Sequence, residues 1–195
     1  MKDACARCRK FGTKLFLKGS RCTSPKCALT RRNYKPGLHG PKSRIARRSE
    51  YGHQLFEKQK AKAEYALRER QFAKIFRDAS RSRQATGEEL LSLLERRLDN
   101  VVYRLGWAIS RAQSRQLVSH RFMMVNGKIT NIASRTLKAG DKISPRKTIE
   151  VHKVTLPKWL KLESKKREAE ILRLPLREEI ETDLDEQLII EFYSR

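Results

Sequence analysis

The side chains of this sequence best suited to chemistry are four cysteines, Cys5, Cys8, Cys22 and Cys27, all within the first 27 residues. Their spacing is C-x2-C, an interval of thirteen residues, then C-x4-C. Two close pairs joined by a short loop can bring four thiolates to the corners of a tetrahedron, the coordination that structural zinc takes. Lys10, Lys14, Lys18, Arg21 and Lys26 add positive charge that favours thiolates. A segment this polar has little to bury, so a metal would have to supply its folding energy, about 10–16 kcal/mol for zinc in small peptides. The alternatives are two disulfides or four metal-free thiols. An iron–sulfur cluster lacks its usual spacing here, and His39, twelve residues beyond Cys27, is left out of the ligand set. The expectation is one structural Zn2+ on Cys5, Cys8, Cys22 and Cys27. Catalysis finds no comparable set, because His39, His53, His120 and His152 are scattered without partners for acid–base work.

The second constellation is cationic. The 195 residues carry a net charge of +23, unevenly placed. Residues 1–50 hold 15 basic and 2 acidic side chains, and residues 101–150 hold 10 and 2, whereas residues 151–195 are slightly acidic with 9 and 10. A polyanionic partner follows, since every neutralised phosphate releases counterions. Apolar runs fall short of the ~20 residues a membrane helix needs, and the basic, cysteine-bearing start is unlike a signal peptide. The expected setting is therefore the reducing cytoplasm, with no membrane and no small-molecule substrate.

Several elements must position these groups. The segment 31–52 has Pro36-Gly37 and Gly40-Pro41, which favour an irregular path. It is lined by Arg31, Arg32, Lys35, Lys42, Arg44, Arg47 and Arg48, with Tyr34 and His39 as stacking groups. Residues 49–83 read as one helix with Tyr65, Phe72, Ile75 and Phe76 on its buried side, Glu64 paired with Arg68, and Lys58, Lys62 and Arg70 on its exposed side. Thr86 with Glu89 reads as a capping box opening a helix through Leu105, stopped by Gly106. Ser110 with Gln113 opens the next helix, with Arg111, Arg115 and Arg121 expected to face outward. Phe122–Val125 and Lys128–Thr130 read as strands joined by Asn126-Gly127, the dipeptide of a tight type I′ turn. Lys138–Asp141 reads as a turn, Ile143, Ile149, Val151 and Lys153 as further short strands, Pro157–Leu172 as mixed loop and short helix, and the apolar run 188–193 as a closing strand.

The run Arg97–Gly127 resembles the alpha-L RNA-binding motif, through Arg97-Leu98-Asp99, Ser110-Arg111, Leu117-Val118-Ser119-His120 and Val125-Asn126-Gly127. Arg121 stands where many such motifs carry glycine. With the cysteine spacing, Lys35–Gly40, Ser49–Gly52, Glu69–Phe72 and the ending Glu186–Arg195, nearly the whole chain resembles the bacterial small-subunit ribosomal protein four family in its zinc-binding form. The resemblance implies an α+β fold: a zinc-bound coil and helical domain with an inserted alpha-L domain bearing a small antiparallel sheet. It implies a zinc-bound basic extension over 1–48, a helical domain over 49–86 rejoined by about 176–195, and the alpha-L domain over 87–175. It also implies a non-enzymatic structural constituent of the small subunit that binds the 5′ domain of 16S rRNA, nucleates assembly and supports accuracy. Its expected partners are small-subunit rRNA, ribosomal protein five, and mRNA where it enters the subunit, near Lys42, Arg44, Arg47 and Arg48. The expected RNA contacts further include Arg31, Arg32, Lys35, Lys58, Lys62, Arg70, Arg104, Arg111, Arg115, Arg121, Lys128 and Arg135. An RNA-modifying enzyme would need a catalytic domain for which too few residues remain, and a zinc transcription factor would need a base-reading helix.

Overall fold

The computed structural model describes residues 3–42, 48–152, 154–163 and 167–195. In chain order the helices are α1 (Ala4–Phe11), α2 (Ser20–Thr23), α3 (Ala28–Arg31), α4 (Glu50–Glu64), α5 (Glu69–Ser80), α6 (Thr86–Glu95), α7 (Leu98–Arg104) and α8 (Arg111–Ser119). There follow β1 (Met123–Val125), β2 (Lys128–Thr130), β3 (Lys142–Pro145), β4 (Leu160–Glu163), β5 (Glu168–Ile171), a 3-10 turn (Arg177–Glu179) and α9 (Glu186–Tyr193). The chain forms two compact units, Met1–Phe72 with Asp183–Arg195, and Ala73–Thr182. The expected boundary between residues 86 and 87 falls inside the second unit.

The N-terminal module is helical where coil is expected. Asp3 caps α1 by accepting from the Cys5 amide at 3.3 Å, and Gly12, at φ 71°, ends it by donating to the Cys8 carbonyl. The single helix expected over 49–83 divides. Ala66 turns left-handed at φ 53° and the Leu67 amide reaches back to the Lys62 carbonyl at 2.9 Å, so α4 and α5 are separate and Glu64 and Arg68 do not share a helix.

The chain ends on a helix, not a strand. Asp185 accepts from the Gln187 and Leu188 amides at 3.0 and 3.2 Å. Ile189 is fully buried and the rings of Phe192 and Tyr193, three and four residues on, meet Tyr51 and Phe72 at 5.7 and 6.3 Å. That spacing is helical; five apolar or aromatic residues among the six of 188–193 hide it. Glu69 ties the same side together, accepting from Lys58 (3.0 Å), Lys62 and the Tyr193 hydroxyl (2.9 Å). Burial pushes the Glu69 carboxyl up, but the bonds from Lys62, Lys58 and Tyr193 outweigh it and hold the pKa at about 2. Burial and the Glu69 carboxylate push the Tyr193 phenol well above its ordinary range. Because the folded carboxyl titrates below its unfolded value of about 4.5, its contribution is complete above that pH and is lost as pH falls toward about 2. Glu69 is 47% exposed, so solvent screening limits the contribution to about 1 kcal/mol. Helical circular dichroism in urea between pH 5 and pH 2 should show Glu69→Gln losing less stability than the parent; parallel curves would refute the assignment.

In the second unit the expected helix from Thr86 to Leu105 breaks at Arg97, which is extended (φ −65°, ψ 136°) and bridges to Thr136. The first amides of α7 are satisfied from across the unit, Leu98 by the Arg135 carbonyl and Asp99 by the Ala133 carbonyl. Thr86 is the first helical residue and not a cap; Ala85 precedes it without a side-chain bond. Ser110 does cap α8, accepting from Gln113, whose own side chain takes the Ile109 amide at 2.8 Å.

The five strands are all antiparallel in the order β2-β1-β3-β5-β4. Asn126 and Gly127, both at positive φ (53° and 74°), make the expected turn. The Asn126 side chain then accepts from the Lys142 amide and donates to Asp141, both at 2.8 Å, locking the hairpin to the Lys138–Asp141 turn. Residues 157–172 contain the β4–β5 hairpin in place of a loop and helix, with Ala169 and Ile171 buried and Glu168 and Glu170 outward of them. Ile149 and Val151 lie outside the strands, and Lys153 lies outside the described residues. Leu98, Val102, Leu105, Trp107, Met123, Ile143 and Trp159 build the core of this unit.

Candidate functional site

The alpha-L stretch is held by buried polar groups. Glu95, its side chain 2% exposed, accepts from Arg104 through Nε (2.9 Å) and Nη2 (2.8 Å) and from Asn100 Nδ2 (2.8 Å). Asn100 Oδ1 in turn accepts from Arg111 Nε at 2.9 Å, and the Arg111 guanidinium lies 4.8 Å over Tyr103. Arg97 and Asp99 form a buried two-pronged pair at 3.1 and 2.7 Å, and Ser114 donates its hydroxyl to the Asp99 carbonyl. This network fixes α6, α7 and α8 against one another. Arg111, at 8% exposure, therefore does not face outward with Arg115 and Arg121 as its helical position suggests. It and Arg104 are internal to the scaffold.

The outward cations lie elsewhere on the same unit. Arg121 is exposed at the end of α8, Lys128 is exposed on β2, and Arg115 and Arg135 are half-buried. Strand pairing adds two that sequence reasoning passed over. The Arg146 amide donates to the Phe122 carbonyl at 2.8 Å and the Lys147 ammonium sits 5.5 Å over the Phe122 ring. Both residues are exposed, so Arg146 and Lys147 join Arg121 across some 25 residues of sequence. Only the β1–β3 register places them there, and basic residues just after a strand were the sole signal available.

Arg121 adopts φ 62°, the left-handed conformation that favours glycine. Arg121→Gly should leave the melting temperature unchanged or slightly higher, since relief of ~1 kcal/mol of backbone strain offsets the glycine entropy. RNA affinity should still fall several-fold, with the salt slope reduced by about one. Unaltered affinity would remove Arg121 from the interface.

In the first unit Arg31, Arg32, Lys42 and Arg70 are exposed. Lys35 is half-buried, its carbonyl accepting from Arg9. Arg48 is exposed with its guanidinium 3.5 Å over Phe56, while Arg44 and Arg47 lie outside the described residues. Lys58 and Lys62 are drawn inward to Glu69, with side chains 6% and 14% exposed, and the Lys58 ammonium lies 3.9 Å over Phe192. Those two pack the fold.

All four cysteines are free thiols and together line one cavity of about 10 Å³, room for a single small ion or water. α1 carries Cys5 and Cys8, α2 carries Cys22, and Cys27 precedes α3. The Lys18 amide donates to Cys22 Sγ at 3.3 Å. A hydrogen bond from the Thr30 amide holds the Cys27 thiol below its ordinary pKa, whereas burial pushes Cys8 up. Among the described residues no group of three or more His, Cys, Asp or Glu side chains is placed to hold an ion. What the fold provides is a shared cavity with amide donors to sulfur, a donor chemistry that suits a thiophilic metal, without a preformed ligand set.

Residues 2–95 match the Ribosomal protein S4/S9 N-terminal domain, and residues 96–143 match the S4 domain. The chain is 52% identical to small ribosomal subunit protein uS4 of Dictyoglomus turgidum, over 98% of this chain and 96% of that one. The chain belongs to the uS4 family. It is 48% identical to the uS4 protein of Natranaerobius thermophilus and 46% identical to that of Thermus thermophilus, each over 98% of this chain and 96% of the relative. Members of the uS4 family are structural proteins and not enzymes. Among the described residues no helix is long and apolar enough to cross a membrane.

Proposed function

We propose that this chain is a structural constituent of the small ribosomal subunit, acting in the cytoplasm as a primary binder of the 5′ domain of 16S rRNA and nucleating assembly there. The observation that carries the reading is the 46–52% identity to uS4 proteins along nearly the whole chain. The mechanism is positioning, not bond chemistry. The buried Glu95 network keeps three helices rigid, and Arg115, Arg121, Arg146 and Lys147 on one unit, with Arg31, Arg32, Lys42 and Arg70 on the other, meet phosphates. Junction shape and the wide, shallow groove of A-form RNA supply the selectivity.

The same reading places ribosomal protein five beside this chain at an interface that supports accuracy, and mRNA near Lys42, Arg44, Arg47 and Arg48. A basic neighbour suits the exposed Glu178 and Glu181, whereas Glu179 is already held by Arg173 at 2.9 and 2.5 Å. Lysine at Glu178 and Glu181 would weaken that contact. We further assign Cys5, Cys8, Cys22 and Cys27 to one zinc ion, which when bound would cross-link α1, α2 and the start of α3. Metal analysis of the purified chain should give one zinc per molecule, with Cys8→Ser and Cys22→Ser each losing it and melting earlier. Metal-free protein with an unchanged melt would overturn this assignment.

The test of the RNA reading is binding to a 5′-domain rRNA fragment at two salt concentrations, with duplex DNA and unrelated structured RNA as competitors. Tight binding that survives both, with a steep negative salt slope, is expected. Equal loss to every competitor would overturn specific recognition.

A further inference from the structure

The short helix α1 presents three sets of side chains to three neighbours. Cys5 and Cys8 face the thiol cavity. Arg9 donates from Nε to the Tyr34 carbonyl and from Nη2 to the Lys35 carbonyl, both at 3.0 Å, and stacks 4.6 Å from the Tyr34 ring. The remaining set, at helical spacing, is Ala6, Arg7 and Lys10 with Asp3 just ahead. These form one wall of an open groove of about 400 Å³. Gln59, Lys62 and Ala63 of α4, with Leu67 beyond it, form the other, and Pro36 completes the lining next to the segment that Arg9 holds.

We propose that this groove takes one nucleotide unit of an RNA strand, its base against the apolar floor and its phosphate on Arg7 and Lys10. The proposal rests on the RNA-binding reading above and adds residues that reading does not contain. Its volume is within the ~300–1,000 Å³ of small-molecule sites. Alanine on both walls, at Ala6 and Ala63, leaves the space open, and Phe11 and Leu67 give a flat base an apolar surface. Gln59 brings an amide with both donor and acceptor, the pattern that reads a base edge.

The charges in the lining select an anion. Asp3 is neutralised by Lys18 at 3.1 Å, and Lys62 is taken by Glu69. Arg7 and Lys10 make no ion pair among the described residues, Lys10 being 5.7 Å over the Phe11 ring. Two uncompensated cations beside an apolar floor match a phosphate joined to a base better than they match a peptide or a lipid chain.

The test uses the full chain with the 5′-domain rRNA fragment and two variants of different character. Ala6→Leu fills the groove without altering charge, and Arg7→Gln with Lys10→Gln removes the phosphate ligands while leaving the groove open. Each should weaken binding about tenfold, and the charge variant alone should lower the salt slope by about two. One base should be shielded from dimethyl sulfate by the parent chain and become reactive with Ala6→Leu, while helical melts of both variants match the parent. A parent chain that fails against the competitors overturns the functional reading itself. A parent that binds specifically, with both variants binding equally well and no base changing reactivity, overturns the groove alone. Adenosine monophosphate titrated into the parent and Ala6→Leu separates the sources. Loss confined to RNA assigns the site to the strand. Saturable mononucleotide binding with RNA affinity untouched by either variant overturns the RNA assignment.

Discussion

Glu95→Ala is expected to destabilise the second unit by about 3 kcal/mol, because it strands a half-buried arginine and a buried amide at once. Arg104 and Asn100 both donate to this carboxylate, whose own side chain is 2% exposed. Trp107 and Trp159 both lie buried in this unit, so fluorescence in urea follows its unfolding without interference from the first unit. A loss below about 1 kcal/mol would show that the network is not holding the helices. The paired change Glu95→Met with Arg104→Met should recover much of the loss, as an apolar replacement of a buried ion pair leaves no uncompensated charge. RNA affinity would separate the two kinds of arginine. Replacing Arg104 or Arg111 should abolish binding together with folding, whereas Arg121→Gly weakens binding in a protein that melts normally.

Gly106→Ala carries the second large effect. Gly106 has φ 72°, where an L side chain is strained by about 1–2 kcal/mol. A Cβ there would also stand 2.4 Å from the His152 carbonyl oxygen and 2.9 Å from a Val154 methyl. The obstacle is backbone, and the His152 amide donates to the Gly106 carbonyl at 2.8 Å, so relief of the clash breaks that bond. A destabilisation of about 3 kcal/mol is expected in the same tryptophan-monitored titration. A neutral result would mean that His152 and Val154 can move away without cost. By contrast Arg121, equally left-handed, projects into solvent, and there the backbone strain is the whole penalty.

Much of the candidate interface was legible from residue order because its signals are local. Asn126-Gly127 specifies its turn through two positive φ angles, and Ser110 and Gln113 cap α8 within four residues. Gly106 stops a helix at its expected place. The cysteine spacing gathers four thiols at one cavity, since both pairs sit on short neighbouring elements. The misreadings share a different cause. Arg104 and Arg111 look like surface cations on a helical wheel, and only the buried Glu95 and Asn100 from other helices turn them inward. Lys58 and Lys62 behave alike, drawn to a glutamate beyond a chain reversal at Ala66. The run 188–193 reads as a strand until Asp185 caps it and α4 receives Ile189 and Phe192.

By itself, then, the order of residues determined the family, the cationic character of the binder, the thiol spacing and the turns, because each depends on side chains close in sequence or on total charge. Tertiary structure alone decided which cations are free to meet a phosphate. Arg146 and Lys147 reach Arg121 through strand register, Arg104 and Arg111 are withdrawn by buried partners, and Arg7 and Lys10 share a groove with Gln59 across two helices. Desolvation and pairing set the availability of a charge, and both are properties of neighbours distant in the chain.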